Sequence, residues 1–246
     1  MVIRNKNKWI RSLAGTVLTL VYPERCAICD RTVKPSDKGI CPYCGPVLEE
    51  VGDASCLKCG KPLEDGTAEY CADCMKREHS FDRGLSLYPY SKRVAESLYR
   101  LKYSGRRSVA DFYGRKMAER FGDQIAAWGV EAVIPVPLHR ERLKKRGYNQ
   151  AELIAGALAR PLGLPVCCDM VERVSNTTAL KLLSAAQREE ILKNAFKISK
   201  YEVKLKAVLI VDDIYTTGST IDEISGLLKR AGADRIFFVT AATGRM

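Results

Sequence analysis

The sequence has no run of eighteen apolar residues anywhere in its 246 positions. A helix that crosses a bilayer needs about 20 such residues, so no segment is predicted to span a membrane. Histidine is also scarce, because the chain has only two, His79 and His139. Each stands alone in its segment and is interpreted as a structural or solvated side chain, so the sequence offers no obvious general base.

Acidic residues are outnumbered, with 29 Asp and Glu against 40 Lys and Arg and a formal net charge of +11. This balance favours anionic partners such as nucleic acid, phosphorylated metabolites or an acidic membrane surface. A solvated basic surface without any partner would give the same balance. Hydrophobic residues make up 46% of the chain, which is enough for a buried core and excludes wholesale disorder.

The amino-terminal segment combines basic residues with a short apolar run at residues 13–21, which is a feature of signal peptides. However, Arg11 interrupts the apolar character, and no small-x-small cleavage site precedes Pro23. We therefore expect residues 1–22 to form an amphipathic N-terminal helix that packs on the fold.

Eight of the ten cysteines form four C-x-x-C pairs, and the first members of these pairs follow one another at a constant step of fifteen residues. A C-x-x-C turn directs two thiolates at one metal ion, and a second pair about a dozen residues later completes a tetrahedral sulfur site. Two structural zinc ions are therefore predicted. Sequential pairing is the simplest assignment, and cross-braced pairing satisfies the same spacing. The sequential ligand sets are Cys26, Cys29, Cys41 and Cys44, and then Cys56, Cys59, Cys71 and Cys74.

Two other uses of cysteine fit the sequence less well. A disulfide scaffold suits a small secreted protein, whereas a long cysteine-poor segment follows here. A redox C-x-x-C is normally single and lies at a strand-to-helix turn. Metal-bound thiolates indicate a reducing compartment, so the expected location is the cytoplasm. The remaining pair, Cys167 and Cys168, is interpreted as two small core residues.

From about Phe81 the sequence changes to apolar strands that alternate with amphipathic helices. Strands are predicted at residues 85–90, 131–136, 206–211 and 235–239, and helices at 91–101, 109–121, 149–159 and 219–230. This alternation indicates a doubly wound α/β domain with a parallel sheet. Ligands of such sheets bind beyond the carboxyl ends of the strands.

One strand end carries the strongest functional signal. The apolar residues 208–211 lead into Asp212 and Asp213, then into a hydroxyl- and glycine-rich loop, and then into a helix. Helix N-terminal amides and loop hydroxyls can hold a phosphate, and two adjacent acids can accept hydrogen bonds from sugar hydroxyls. A phosphorylated ribose would use both the phosphate-binding loop and the two acids. Each feature is common on its own, since acids often end strands and Thr or Ser often caps a helix. The predicted phosphate-binding residues are Thr216, Thr217, Gly218, Ser219 and Thr220.

Residues 208–220 closely resemble the signature with which type I phosphoribosyltransferases bind phosphoribosyl pyrophosphate (PRPP). The order of cysteine knuckles, L-K-Y-S-G-R-R, P-V-P-L-H-R, R-G-Y-N-Q-A and this loop resembles the ComF family over nearly the whole chain. Members of that family are associated with DNA uptake in naturally competent bacteria. The resemblance implies a type I phosphoribosyltransferase-like parallel-sheet α/β domain at residues 81–246, preceded by a small double zinc-ribbon domain at 23–80. The carboxyl-terminal domain also resembles the transferase domain of glutamine amidophosphoribosyltransferase.

The resemblance also implies roles for single residues. Asp212 and Asp213 would hold the ribose hydroxyls as catalytic residues, and the loop from Thr216 to Thr220 would hold the 5′-phosphate. Residues 137–147 would form the pyrophosphate loop, where PRPP carries its Mg²⁺, and residues 173–183 would form a mobile lid. The basic side chains of the pyrophosphate loop that would bind PRPP are Arg140, Lys144, Lys145 and Arg146.

Two classes of function follow from these expectations. In the first, the protein is an enzyme in which an unidentified nitrogen nucleophile attacks the anomeric carbon of PRPP and pyrophosphate leaves. In the second, it is a non-catalytic adaptor of the competence machinery that binds a nucleotide, single-stranded DNA and DNA-uptake proteins. Basic side chains would then follow the nucleic-acid backbone while tyrosines stack on bases. The candidates for that track are Lys102, Arg106, Arg107 and the basic residues of 140–146, with Tyr103, Tyr113 and Tyr148.

Overall fold

The computed structural model describes residues 23–175, 195–199 and 205–244. The helix expected within residues 1–22 lies outside the described residues, and so do residues 176–183 of the expected lid. Within the described ranges, the chain forms no helix that is long and apolar enough to cross a membrane.

The cysteine-rich segment has little regular structure, and the rest alternates strands and helices. The cysteine-rich segment contains two short 3-10 turns, Pro35–Asp37 and Gly45–Val47, and one helix, α1 (Ala72–Lys76). The following elements are β1 (Arg83–Pro89), α2 (Lys92–Tyr103), α3 (Ser108–Ala127), β2 (Ala132–Pro135), α4 (Arg140–Arg146), α5 (Gln150–Leu162), β3 (Val171–Arg173), β4 (Phe196–Ile198), β5 (Ala207–Tyr215), α6 (Ser219–Arg230) and β6 (Arg235–Thr243).

The main sheet has the strand order β1-β6-β5-β2, and all of its pairings are parallel. Residues 207–211 of β5 are fully buried, as expected for a central strand covered on both faces. Strands β3 and β4 form a separate antiparallel pair. The predicted fold class, a parallel α/β sheet, is confirmed.

The element boundaries differ from the predicted ones chiefly at the carboxyl ends. Helix α6 has the predicted bounds, whereas β5 continues past both acids to Tyr215. It does so because β6 is also longer and pairs with β5 as far as Thr243. Both strands therefore extend into the region where the predicted site lies.

The two cysteine clusters pack on opposite faces of the sheet. Cys26 and Cys41 share one core cluster with Leu209 and Val211, and Cys56 and Cys59 share the other with Val208 and Ile210. Successive side chains of a strand point to opposite faces, so the alternation along β5 separates the two clusters. Strand β6 follows the same rule, with Phe237 and Val239 in the first cluster and Ile236 and Phe238 in the second.

The interpretation of Cys167 and Cys168 as core residues is wrong for the second of them. Val166 forms an isolated bridge to Val133 at the edge of the sheet, and the chain then enters a turn. Cys167 is half-buried and Cys168 is exposed. A turn does not impose the strand alternation that the prediction assumed.

Candidate functional site

Two carboxylates lie near the carboxyl end of β5, the edge at which parallel sheets bind ligands. Asp212 is half-buried and Asp213 is buried. The backbone N–H of Asp213 donates to Oδ1 of Asp212 at 2.8 Å, which holds that carboxylate against the strand. In the adjacent strand, Thr240 is the register partner of Asp212.

Side chains from two helices contact Asp213, and one from a third helix supports them. Lys102 of α2 forms an ion pair with Oδ2 of Asp213. Nε2 of Gln150, at the start of α5, donates to Oδ1 of Asp213 at 3.3 Å. Arg146 of α4 in turn donates to Oε1 of Gln150. Both oxygens of the Asp213 carboxylate are therefore held, and a second cation stands one side chain away.

The two acids have opposite pKa shifts. Burial and the negative charge of Asp213 raise the pKa of Asp212 well above its usual value. Burial also acts to raise the pKa of Asp213, but the charge and hydrogen bond of Lys102 outweigh it, and the pKa of Asp213 is lowered. The site therefore favours an ionised Asp213 beside an Asp212 that protonates readily, an arrangement in which one carboxyl accepts and the other can donate.

The hydroxyl-rich loop after β5 leads directly into α6. Thr216 is exposed, Thr217 and Thr220 are half-buried, and Gly218 and Ser219 are buried. Oγ1 of Thr217 and Oγ of Ser219 lie 3.0 Å apart. Gly218 has a φ of 81°, and a Cβ there would meet the Tyr215 hydroxyl at 2.6 Å. The loop thus needs glycine at this position, and the N-cap of α6 has no side chain to bond the first amides of the helix.

The predicted pyrophosphate loop is not a loop throughout, because residues 140–146 form helix α4. The segment R-E-R-L-K-K-R consists of strong helix formers, which outweighs the expectation from the family pattern. His139 caps this helix by accepting from the backbone N–H of Glu141 at 3.4 Å, and Gly147 ends it with a φ of 78°. The ring of His139 thus has a structural use at the helix start.

The four basic residues predicted to bind PRPP are placed unequally. Arg146 is half-buried and reaches the acids through Gln150. Arg140 is 84% exposed, and its Nε lies 4.0 Å from a carboxylate oxygen of Glu172 in β3. Lys144 and Lys145 are exposed. The structure brings Arg146 to the acids and leaves the other three on the solvent side of α4.

The proposed base-stacking tyrosines are mostly buried. Tyr113 is fully buried, and Tyr148 is buried with its hydroxyl donating to the carbonyl of Leu101. Tyrosines are more often buried than used for base stacking, and these two rings follow the commoner use, so they do not stack on bases. Tyr103 is 61% exposed and pairs with Tyr99, which is 60% exposed, at a ring-centroid distance of 4.8 Å. The sequence prediction did not include Tyr99, although its i,i+4 spacing from Tyr103 places both rings on one side of a helix.

Lys102 and Gln150 are the site residues that the sequence reasoning missed. Lys102 was assigned to a nucleic-acid track, yet it pairs with Asp213. A usable signal existed, since Lys102 follows the buried Leu98 by four residues and so lies on the buried side of α2. A lysine on an apolar face needs an anionic partner, and the two acids already assigned to the site were candidates for that partner.

Each half of the cysteine-rich segment forms one four-cysteine site. The sulfur atoms of Cys26, Cys29, Cys41 and Cys44 lie within 4.8 Å of one another, and so do those of Cys56, Cys59, Cys71 and Cys74. The pairing is sequential rather than cross-braced. The Sγ atoms of Cys29 and Cys41 are 3.7 Å apart, as are those of Cys59 and Cys71. A tetrahedral zinc–sulfur site with bonds of about 2.3 Å has sulfur separations of about 3.8 Å, so both ligand sets fit zinc.

The second four-cysteine segment and the residues that follow it contact the last residue of β5 and the start of α6. Nζ of Lys61 lies 5.6 Å from the ring centre of Tyr215 and 2.7 Å from a carboxylate oxygen of Asp73. Nδ1 of His79 and a carboxylate oxygen of Asp222, in the first turn of α6, are 2.6 Å apart. The segment that holds the metal ligands is therefore attached to the helix that begins at the candidate phosphate site.

Comparisons with known proteins agree with this architecture. The model of the double zinc ribbon domain matches residues 17–75, and that of the phosphoribosyl transferase domain matches residues 149–245. Competence protein F of Haemophilus influenzae is 34% identical over 227 residues, which cover 86% of this chain and 93% of that protein. DNA utilization protein YhgH of Escherichia coli K12 is 30% identical over 213 residues and 85% of each chain.

Two further matches are more distant. Competence protein ComFC of Streptococcus pneumoniae is 25% identical over 224 residues, which cover 85% of this chain and 95% of that protein. Among solved structures, a purine phosphoribosyltransferase from Pyrococcus horikoshii aligns with a TM-score of 0.34 and 14% identity. That alignment covers 54% of this chain and 82% of the other.

Proposed function

This chain belongs to the ComF family of competence proteins, and on that premise we propose that it binds PRPP at the carboxyl end of β5 as a phosphoribosyltransferase-like protein of DNA uptake. The observation that carries the proposal is the convergence there of two acids, a hydroxyl-rich loop at a helix start and two cationic side chains. A phosphorylated sugar is the ligand that uses all three features together.

In this proposal the two acids recognise the ribose. Asp213, ionised beside Lys102, accepts a hydrogen bond from one ribose hydroxyl, and Asp212 accepts from or donates to its neighbour. The 5′-phosphate binds the backbone amides and hydroxyls of residues 216–220. Arg146 lies nearest to the expected pyrophosphate, while Arg140, Lys144 and Lys145 add a diffuse positive field at the entrance.

The chemistry at this site is a substitution at the anomeric carbon. A nitrogen of the acceptor forms a bond to that carbon while the bond to the pyrophosphate oxygen breaks, and pyrophosphate leaves with the electron pair. The transition state has oxocarbenium character, so fixed charges near the leaving group and rigid holding of the ribose supply the rate enhancement. The same site without an acceptor would hold PRPP as a bound signal.

Metal ions enter this proposal in two ways. Mg²⁺ would arrive with PRPP, held by the oxygens of its pyrophosphate and ribose. It would supply charge neutralisation of the leaving group. Two zinc ions would fill the four-cysteine sites as structural ions, since four thiolates leave no open coordination position. A protein that keeps eight zinc-binding thiolates reduced belongs in the cytoplasm.

The test is calorimetric titration of PRPP with Mg²⁺ into the wild type and into an Asp212→Asn/Asp213→Asn variant. We expect the double variant to lose PRPP affinity by more than about a hundredfold, because the charge-assisted hydrogen bond of Asp213 and the hydrogen bond of Asp212 to the ribose are both removed. Zinc content should not change. Asp234→Asn, an exposed acid just before β6 at the opposite end of the sheet, is the matched control. Wild-type affinity in the double variant would show that the ribose is held elsewhere.

Turnover is tested separately from binding. Pyrophosphate release from PRPP is measured in the presence of nucleobases and simple amines. Release with one acceptor class identifies a transferase, whereas tight PRPP binding without release in any mixture supports a binding module.

A second candidate activity is binding of single-stranded DNA, and the exposed pair Tyr99 and Tyr103 favours it. The two rings are tilted by 44°, and the guanidinium of Arg146 lies 5.4 Å from the centre of the Tyr103 ring. Exposed aromatic rings beside cations are the elements from which sequence-tolerant single-strand sites are built. We refer to Tyr99, Tyr103 and Arg146 as the aromatic rim.

A further inference from the structure

The side chain of Lys102 is a half-buried cation within the candidate site. It is 22% exposed, and its partner Asp213 is 7% exposed. Removal of a lysine ammonium from water is costly unless a carboxylate or several acceptors compensate. The ion pair with Asp213 supplies this compensation, so the position of Lys102 depends on the acid and the orientation of the acid depends on Lys102.

Helix α2 holds Lys102 in place from two directions. Oγ of Ser97 donates to the carbonyl of Ala27 at 2.6 Å, and Arg100 donates to the carbonyl of Ile28. Both carbonyls belong to the first C-x-x-C turn. On the other side, the Tyr148 hydroxyl donates to the carbonyl of Leu101, the residue before Lys102. The helix therefore carries Lys102 as a fixed group and not as a mobile surface chain.

The Asp213 carboxylate is clamped between Lys102 and Gln150. Lys102 binds Oδ2, and Gln150 donates to Oδ1. Arg146 orients the Gln150 amide by donating to its oxygen, which leaves the amide nitrogen to face Asp213. Because each of its oxygens has a protein partner, the carboxylate is held in one orientation before any ligand binds. This orientation sets the direction of its remaining lone pairs.

We propose that Lys102 is a positioning residue for ribose recognition, which keeps the Asp213 carboxylate charged and fixed in the orientation that receives a sugar hydroxyl. This inference rests on the proposed PRPP-binding function and assigns a role to a side chain outside the loop of residues 212–220. An acid fixed beforehand loses little conformational freedom on binding, and its hydrogen bond to the ligand is correspondingly stronger.

The charged groups around Asp213 determine how this role depends on pH. Asp212 lies beside it on β5, and Lys102 faces it from α2. The charge of Asp213 acts on Tyr113 of α3, and Arg146 of α4 is linked to Asp213 through Gln150. Arg173 of β3 is near Asp212. Of these, Lys102 makes the ion pair that lowers the pKa of Asp213 against the effect of burial, so its loss should raise that pKa. Binding that needs ionised Asp213 would then require a higher pH.

The experiment compares PRPP affinity as a function of pH in the wild type, Lys102→Gln and Lys102→Arg. Lys102→Gln keeps a hydrogen-bond donor and removes the charge, and Lys102→Arg keeps the charge. We expect Lys102→Gln to weaken PRPP binding by about tenfold at neutral pH and to shift the acidic limb of the binding curve to higher pH. Lys102→Arg should restore the wild-type position of that limb. Lys92→Met, an exposed cation at the start of the same helix, is the control.

The outcomes separate this inference from the proposed function. A wild type that does not bind PRPP overturns both. A wild type that binds PRPP, together with a Lys102→Gln variant of unchanged affinity and unchanged pH dependence, overturns the role of Lys102 alone. If Lys102→Gln fails to fold, the pH dependence of PRPP binding by Lys102→Arg decides. A role that depends on charge predicts that its acidic limb lies where that of the wild type lies. A purely space-filling role predicts that Lys102→Arg loses affinity and that its acidic limb does not return to the wild-type position.

Discussion

Replacement of Asp212 or Asp213 by asparagine should change the stability of the protein differently, because the two carboxylates have different surroundings. Asp213 is buried and pairs with the half-buried Lys102, so Asp213→Asn leaves Lys102 without its counter-charge and should lower the free energy of unfolding by about 2 to 3 kcal/mol. Asp212 has a raised pKa because of burial and the neighbouring charge, so Asp212→Asn should be close to neutral or stabilising. Urea denaturation of both single variants at neutral pH measures the difference.

The pH dependence of these stabilities provides the control. A lowered pKa in the folded state means that Asp213 stabilises the fold above its unfolded pKa of about 3.9, and that this contribution is lost as pH falls through the folded value. The stability gap between wild type and Asp213→Asn should therefore close in acid. If Asp212→Asn loses more stability than Asp213→Asn, the ionised carboxylate is that of Asp212.

At the scale of structural elements, the second four-cysteine segment braces the candidate phosphate loop. Its Lys61 lies over the Tyr215 ring, and its carboxyl-terminal extension places His79 against Asp222. The same segment also packs closely on β1, because a Cβ on Gly60 would lie 2.7 Å from the carbonyl oxygen of Gly84. Loss of the metal should therefore disturb the start of α6 as well as the ribbon.

Cys56→Ser tests this coupling. A site with three thiolates loses much of its affinity, so bound zinc should fall from about two ions to about one per chain. PRPP affinity should fall as well, because the contacts to Tyr215 and Asp222 depend on the ribbon. Cys168→Ser removes an exposed cysteine outside both sites and should change neither quantity. Metal analysis and PRPP calorimetry are the measurements, and retention of two zinc ions by Cys56→Ser would refute the four-thiolate assignment.

Local patterns predicted the elements well, and tertiary contacts determined what they could not. The bounds of α6 follow from an amphipathic repeat between a glycine and the next strand, both visible in the sequence. The extension of β5 to Tyr215 depends on pairing with β6 through Thr243, which no local pattern encodes. Similarly, the helix at 140–146 follows from propensity, although a family pattern had suggested a loop.

The residues of the candidate site likewise fall into those that local patterns predict and those that only tertiary contacts bring together. The two acids, the phosphate loop and the four-cysteine sets are contiguous or regularly spaced, so spacing alone brings them together. Lys102 and Gln150 reach Asp213 from 111 and 63 positions away, respectively. Contacts over such separations depend on how α2 and α5 pack on the sheet, and a single sequence carries that information only indirectly.

At the scale of the whole molecule, the fold determines which of the cations behind the net charge of +11 are paired and which are exposed. Some of the cations are engaged inside the site or in pairs, as Lys102 is with Asp213 and Arg106 is with Asp30 at 3.1 Å. Lys144 and Lys145 stand exposed on α4, which ends at Arg146 of the aromatic rim. A single strand could therefore meet exposed phosphate-binding charge and exposed rings on adjoining helices.

Charge and stacking contributions to DNA binding are separable by experiment. Tyr99→Ala/Tyr103→Ala should weaken binding of single-stranded DNA by about thirtyfold or more, since two stacked bases are lost and each contributes about 1 to 3 kcal/mol. The double variant should leave the salt dependence unchanged. Lys144→Ala/Lys145→Ala should instead lower the log–log salt slope by about 0.7 for each DNA phosphate that is no longer neutralised. Fluorescence anisotropy at several salt concentrations measures both. Tyr43→Ala, an exposed tyrosine under Arg31 in the first four-cysteine segment, is the matched control. If Tyr43→Ala loses affinity and the rim variant does not, the strand binds the ribbon, and the aromatic rim has no part in DNA binding.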